Sequence, residues 1–254
     1  MTWEYLRCYA VASWSPMEPL LITHKRRNIL PRMLFAMSTR TLYRLSGGAL
    51  IVSSLLIIIT SIIGAMLFPG HHSTTQQDLS LPWILITLIT FIGSLLFVIG
   101  LPGMYLRQAG RAGALGLVGF ILLFLGFLLQ GAAFSALQVT VLPWIAQVAP
   151  KLLEGENLPI GVFLLLIVSG LMMLTGSILL GIATIRAHVF PRWTGILLLA
   201  SGILFLLTLP PLPSPLDDLI EIASFIALAL ACLWCGYLLM GKENGKVQGK
   251  PSIG

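Results

Sequence analysis

Eight ionisable side chains could do chemistry together. His71, His72, Asp78, Glu154, Glu156, Asp217, Asp218 and Glu221 lie in polar stretches between long uncharged runs. Imidazoles and carboxylates are zinc ligands and general acid–base groups. Their spacing carries no metal signature, such as two His one helical turn apart, so no metal is expected. Were one bound, His71, His72 and Glu221 are the candidate ligands. Capping accounts for most of the last cluster. Ser214 can cap a helix, Pro215 takes its first position, and acids in the first turn suit the helix dipole. Glu221 lies one turn deeper and is the least explained acid.

Other constellations carry less. Cys232-Leu-Trp-Cys235 has redox spelling but sits in an apolar run, where Cys acts as a small hydrophobe. Haem between helices needs a His within a span. His188 lies between two runs and His24 precedes the first. No G-x-S-x-G, P-loop or H-E-x-x-H occurs. No catalytic residue and no cofactor is assigned. The polar groups at depth are hydroxyls and amides. Of these Gln130, Ser135 and Thr175 are the candidates for lining a ligand cavity, and Gln130 is the costliest to bury. Arg107, Arg111, Arg186 and Arg192 are the candidates for meeting lipid headgroups.

The elements that must position these groups follow from composition. Of 254 residues, 57% are hydrophobic and 9% charged, and the mean hydropathy is +0.97. Soluble domains carry about 25% charged residues. The expected class is all-α, an integral membrane six-helix bundle, with spans at 45–68, 82–106, 112–142, 160–185, 193–212 and 216–240. Each can cross a core of about 30 Å. The third run continues uncharged to Val148, with a kink expected at Pro143. Residues 1–36 lack sustained periodicity. They read as an N-terminal arm that is disordered or lies upstream of a true start at Met37 or Met33. Residues 241–254 read as a basic cytoplasmic tail.

Charge placement predicts orientation. All basic residues except Lys151 fall on one side of a six-span drawing, and the acids gather on the other. By the positive-inside rule both termini are cytoplasmic. The net charge of +6 then reflects topology and anionic inner-leaflet lipid, and no nucleic-acid partner is needed. Outward-going helices begin with a basic residue shortly before glycine, and inward-going ones with a polar residue and proline. This suggests three tandem helical hairpins. Small residues recur every seven positions, as in Ala112, Gly119, Gly126 and Ala133, which is the spacing of close helix packing in lipid.

At TLYRLSGGALIV, LPGMYLRQAGRAGALGLVGFILLFLG and GIATIRAHVFPRWTGILLL the chain resembles multi-pass bacterial inner-membrane proteins of unknown function, over roughly residues 37–240. The resemblance implies a bacterial plasma-membrane location and brings no catalytic residues. A three-hairpin plan also suits mitochondrial carriers, but their P-x-[DE]-x-x-[KR] signature is absent. Three functions fit. The leading one is a non-enzymatic bundle that binds a lipid, an apolar ligand or a partner helix. The second is a facilitator of a neutral solute. The third is a membrane enzyme using the outer His and carboxylate set.

Overall fold

The computed structural model describes residues 39–68, 80–148, 160–208 and 214–241. The expectations for residues 1–36 and, apart from Gly241, for the 241–254 tail fall outside this range. The described residues are almost all helical, with no strand among them. In order they form α1 (Thr39–Leu67), α2 (Leu81–Gly126), a π segment (Phe127–Phe134), α3 (Ser135–Val148), α4 (Ile160–Ala187), α5 (Arg192–Leu207) and α6 (Ser214–Met240).

Four stretches are long and apolar enough to cross a membrane: Thr41–Leu67, Leu81–Ile145, Ile160–Ala187 and Leu216–Met240. Their outward faces carry Leu55, Ile59 and Ile62 on α1, Leu88, Ile92 and Ile99 on α2, and Leu164 and Ile167 on α4, all exposed. A continuous apolar exterior of this extent suits lipid rather than water. Inside lipid every backbone amide must bond within its own segment, which makes helix the available choice for each run.

The second stretch is not one straight rod. Phe97 and Phe127 stack with ring centroids 4.0 Å apart, whereas a straight helix would separate them by about 45 Å at 1.5 Å per residue. Tyr105 also stacks on Phe120, at 4.8 Å. The chain therefore doubles back between these pairs. It does so at Gly113, whose φ of 61° and ψ of −164° lie in a region essentially confined to glycine. Residues 81–112 form one limb. The returning limb runs through residues 114–126, the π segment and α3.

Neighbours in sequence are neighbours in space, and the order closes a ring. α1 packs on the first limb of α2, the returning limb on α4, α4 on α5, α5 on α6, and α6 back on α1. Glycine makes the closest approaches. A Cβ built on Gly47 would meet the Gly236 carbonyl at 2.7 Å, and one on Gly100 would meet the Leu50 side chain at 2.6 Å. On Gly119 it would meet the Leu180 nitrogen at 2.6 Å, and on Gly181 the Leu199 nitrogen at 2.8 Å. Several buried hydroxyls are satisfied within their own helices, as in Ser54 Oγ to the Leu50 carbonyl (2.7 Å) and Thr184 Oγ1 to the Leu180 carbonyl (2.8 Å), the usual back-bond to the previous turn. Between helices, Ser224 Oγ donates to the Ser201 carbonyl at 2.9 Å and ties α6 to α5.

Three details differ from the sequence expectation. The seven-residue stripe holds at Gly119 and Gly126, but Ala133 is exposed and Ala132 is the buried residue. The π segment has a wider turn, so it rotates the residues that follow off the stripe. The helix continues through Pro143, and the departure from α geometry comes earlier, at residues 127–134. The fifth expected span, 193–212, is a helix only to Leu207. Pro210, Pro211 and Pro213 lack an amide hydrogen, and proline disfavours helix at the residue before it. The 16-residue helix covers about 24 Å.

Gly119→Ala and Gly176→Ala should each lower stability by about 1–3 kcal/mol through overpacking against the backbone of the facing helix. Gly110→Ala, where a Cβ meets nothing within 4 Å, should be neutral or stabilising by up to about 1 kcal/mol. Thermal unfolding in a mild detergent measures all three. Equal effects at the three sites would mean that the seams are not held by close backbone approach.

Candidate functional site: a cavity beside the π segment

Where the glycine seams end, the helices part and enclose a cavity of about 270 Å³. Its wall is drawn from α1, the first limb of α2, the π segment, the start of α3, α4 and α6. On α1 the lining residues Ile57, Thr60, Ser61, Gly64, Ala65 and Phe68 follow helical spacing along one face. On α2 the corresponding face is Trp83, Ile86, Thr90 and Ser94. Each face runs about 16 Å at 1.5 Å per residue, from the α1–α2 loop into the bundle.

The π segment makes the room. It contributes Phe127, Gln130 and Gly131 to the wall. A single extra residue per turn widens the helix and re-aims its side chains, and such segments recur at functional sites. Gly131 is needed here because a Cβ would come within 2.5 Å of Ser94 Oγ. Gln130, the residue before Gly131, lines the cavity beside this contact.

The hydroxyls of the wall divide into two kinds. Thr60 and Thr90 donate to the carbonyls of Leu56 and Ile86, each at 2.9 Å, so their hydrogens are used. Ser94 and Ser135 are 2% and 4% exposed and line the cavity. Gln130 Oε1 and Trp83 Nε1 are buried and have no hydrogen-bond partner. Buried polar atoms normally find partners, and these two lack one.

The mouth is different in character. Phe68 and Trp83 meet edge to face with centroids 5.0 Å apart, and Asp218 and Glu221 of α6 complete the rim. The acids were readable in the sequence as capping groups with Glu221 left over. The fold brings Glu221 and Asp218 onto the cavity, while Asp217 is half-buried outside its lining.

The remaining candidates fall as follows. Of the three cavity residues named from sequence, Gln130 and Ser135 line the cavity. Thr175 is exposed and bonds back to the Leu171 carbonyl at 2.6 Å. His71, His72, Asp78, Glu154 and Glu156 lie outside the described residues. Among the described residues no three His, Cys, Asp or Glu side chains are grouped to hold a metal. Cys232 and Cys235 are free thiols with no exposure. Arg111, Arg186 and Arg192 are exposed at the opposite end of the bundle. Arg107 has a structural task there: its guanidinium donates to the Leu238 carbonyl near the end of α6 and lies 5.7 Å from the Phe190 ring centroid, a cation–π distance. Sequence reasoning missed Ser94, Phe127 and the π segment as parts of one site. The available signal was Gln130 followed by Gly131, Ala132 and Ala133, a polar group and three small residues inside an apolar run.

Gln130→Leu should leave stability unchanged or raise it by about 1–2 kcal/mol, since an unpaired buried amide oxygen costs about 1–3 kcal/mol. Thermal unfolding of the ligand-free protein in detergent reads this. A loss of stability would mean that the amide is already satisfied. No protein-family model, no curated protein and no solved structure matches the chain, and the geometry of this cavity carries the functional reading.

Proposed function

We propose that this is a non-enzymatic multi-pass membrane protein that binds a lipid part or a small apolar molecule inside its helix bundle. The observation that carries the reading is the cavity itself: an apolar wall interrupted by the polar residues Ser94, Ser135 and Gln130. Ligand sites have this composition, mostly apolar with a few placed polar groups. Its volume, about 270 Å³, is just below the roughly 300–1,000 Å³ of typical small-molecule pockets. Binding is favoured over passage of a neutral solute because the end opposite the mouth is drawn tight, with Gly47 against Gly236 and Gly103 against Ser46.

The same proposal includes the topology. With the doubling back at Gly113 and α5 taken as a crossing, the chain crosses six times, as three antiparallel helix pairs. Arg44, Arg107, Arg111, Arg186 and Arg192 share one end of the bundle, and Asp217, Asp218 and Glu221 share the other. The positive-inside rule then puts both termini in the cytoplasm, and the mouth of the cavity on the outer side of a bacterial plasma membrane. Membrane lipids are the standing partners.

Two measurements test this. Native mass spectrometry in mild detergent should find a co-purifying small molecule or lipid. Its occupancy should fall at least tenfold in Gly64→Phe, which fills the cavity from a position where a Cβ meets nothing within 4 Å. Gly161→Phe, an equally open position away from the cavity, should not change it. Equal occupancy in both variants would remove the cavity as the binding site. For topology, a fluorescent protein fused after the tail should fluoresce, and alkaline phosphatase inserted between α1 and α2 should be active. The reverse pattern would overturn the orientation.

A further inference from the structure

Where α4, α5 and α6 meet, each helix contributes one serine to a common point. Ser177, Ser201 and Ser224 are 4%, 3% and 5% exposed, and all three line a void of about 10 Å³. A buried hydroxyl costs free energy unless its hydrogen-bonding capacity is used, and lipid around the bundle offers no partner. Two of the hydroxyl hydrogens are accounted for. Ser201 Oγ donates to the Leu198 carbonyl at 2.8 Å, and Ser224 Oγ donates to the Ser201 carbonyl at 2.9 Å. A hydroxyl oxygen that has donated can still accept through its lone pairs. Ser201 and Ser224 therefore bring acceptors to the void, and Ser177 brings a hydroxyl able to donate. Closer packing cannot remove the space. A Cβ on Gly202 would already meet the Leu174 carbonyl at 3.1 Å and Ser177 Cβ at 3.3 Å, so α5 and α4 are in contact beside it.

We propose that this void holds one structural water, bound by Ser177, Ser201 and Ser224. The water donates one hydrogen to Ser201 Oγ and the other to Ser224 Oγ, and accepts from Ser177 Oγ. Three hydrogen bonds are usual for a buried water, and a space of roughly 10–15 Å³ is what one water needs. No charged side chain lines the void among the described residues, so a bare cation there would lack a counter-charge inside the membrane, at high cost. An apolar occupant would leave the hydroxyls unmet. One oxygen thus joins three helices. The tie matters most for α5, which has only 16 residues over which to pack. Met173 and Phe225 line both this void and the larger cavity, so a single layer of side chains separates the two spaces. The water is held whatever the larger cavity binds.

A crystal structure of the full-length protein grown in a lipidic cubic phase, at a resolution that shows ordered water, tests this directly. One isolated density peak should lie about 2.5–3.0 Å from each of the three Oγ atoms. No peak at that point overturns the proposal. Crystals grown with choline in place of sodium should keep the peak. Its loss would make the occupant a cation, which also overturns the proposal. In Ser177→Ala/Ser224→Ala the peak should vanish, because a void lined by apolar groups stays dry. A peak that persists would mean that other groups hold it, and the three-serine site would fall. Thermal unfolding in mild detergent gives an independent reading. Ser177→Ala alone should lower Tm by about 2–4 °C. If Ser177 and Ser224 share one water, the double variant should lose only about two-thirds of the summed single losses, since the first substitution already releases it. Additive losses would mean that the two helices share no bound partner, and would overturn the proposal.

Discussion

Backbone approach at glycine is the constraint on which the rest of this bundle depends. In lipid the apolar side chains of a helix gain nothing by leaving their surroundings, so association rests on close packing and interhelical hydrogen bonds. Here the packing is bought with missing side chains. Gly47 and Gly236 face each other across α1 and α6, Gly119 and Gly176 face α4 and the returning limb, and Gly181 and Gly195 face each other across α4 and α5. Each seam brings backbones together where one methyl group would meet a main-chain atom. Leu50, Leu101, Leu123, Leu180 and Leu198 then fill the ring between the seams with no exposure beyond 1%.

The cavity is where this arrangement changes. Toward the α1–α2 loop the inward face of α1 includes the small residues Ser61, Gly64 and Ala65, and the π segment brings Gln130 and Gly131 to the wall. Space opens because the returning limb is wider there and because its register has shifted, as the exchange of Ala133 for Ala132 in the buried position records. A bundle made only of seven-residue seams would have closed. One irregular stretch of eight residues therefore separates a packed half, which carries stability, from an open half, which carries the site.

The ends of the bundle are distinguished by the same division. At the packed end Arg107 serves the carbonyls that conclude α6 and rests near Phe190, while His188 takes a positive φ of 51° to turn α4 into α5. That end is tied by a cation. At the open end the charged side chains among the described residues are acids, and Asp218 and Glu221 stand on the rim. Gln108 is also almost fully buried, with both amide atoms unpartnered; nothing in the structure explains it.

What the sequence determined by itself was class and material. Long uncharged runs rich in Leu and Ile with glycine at intervals can satisfy their backbones in lipid only as helices, and the positions of 45–68, 82–106, 160–185 and 216–240 followed from charge and proline alone. The sequence also contained the polar inventory: Gln130 as the costly amide, Ser135 beside it, Glu221 as the acid with no capping role. Tertiary structure decided which of these share a space. It turned Thr175 outward, gave Arg107 to α6, and joined Ser94 and Phe127 to Gln130. It ended α5 at Leu207, ahead of prolines that the hydropathy pattern had passed over. The reason is rotational. Periodicity states which residues share a helix face as long as the helix keeps 3.6 residues per turn, and a π segment breaks that rule without a local residue signature strong enough to announce it. Which face then meets which neighbour is settled only when all the seams close together.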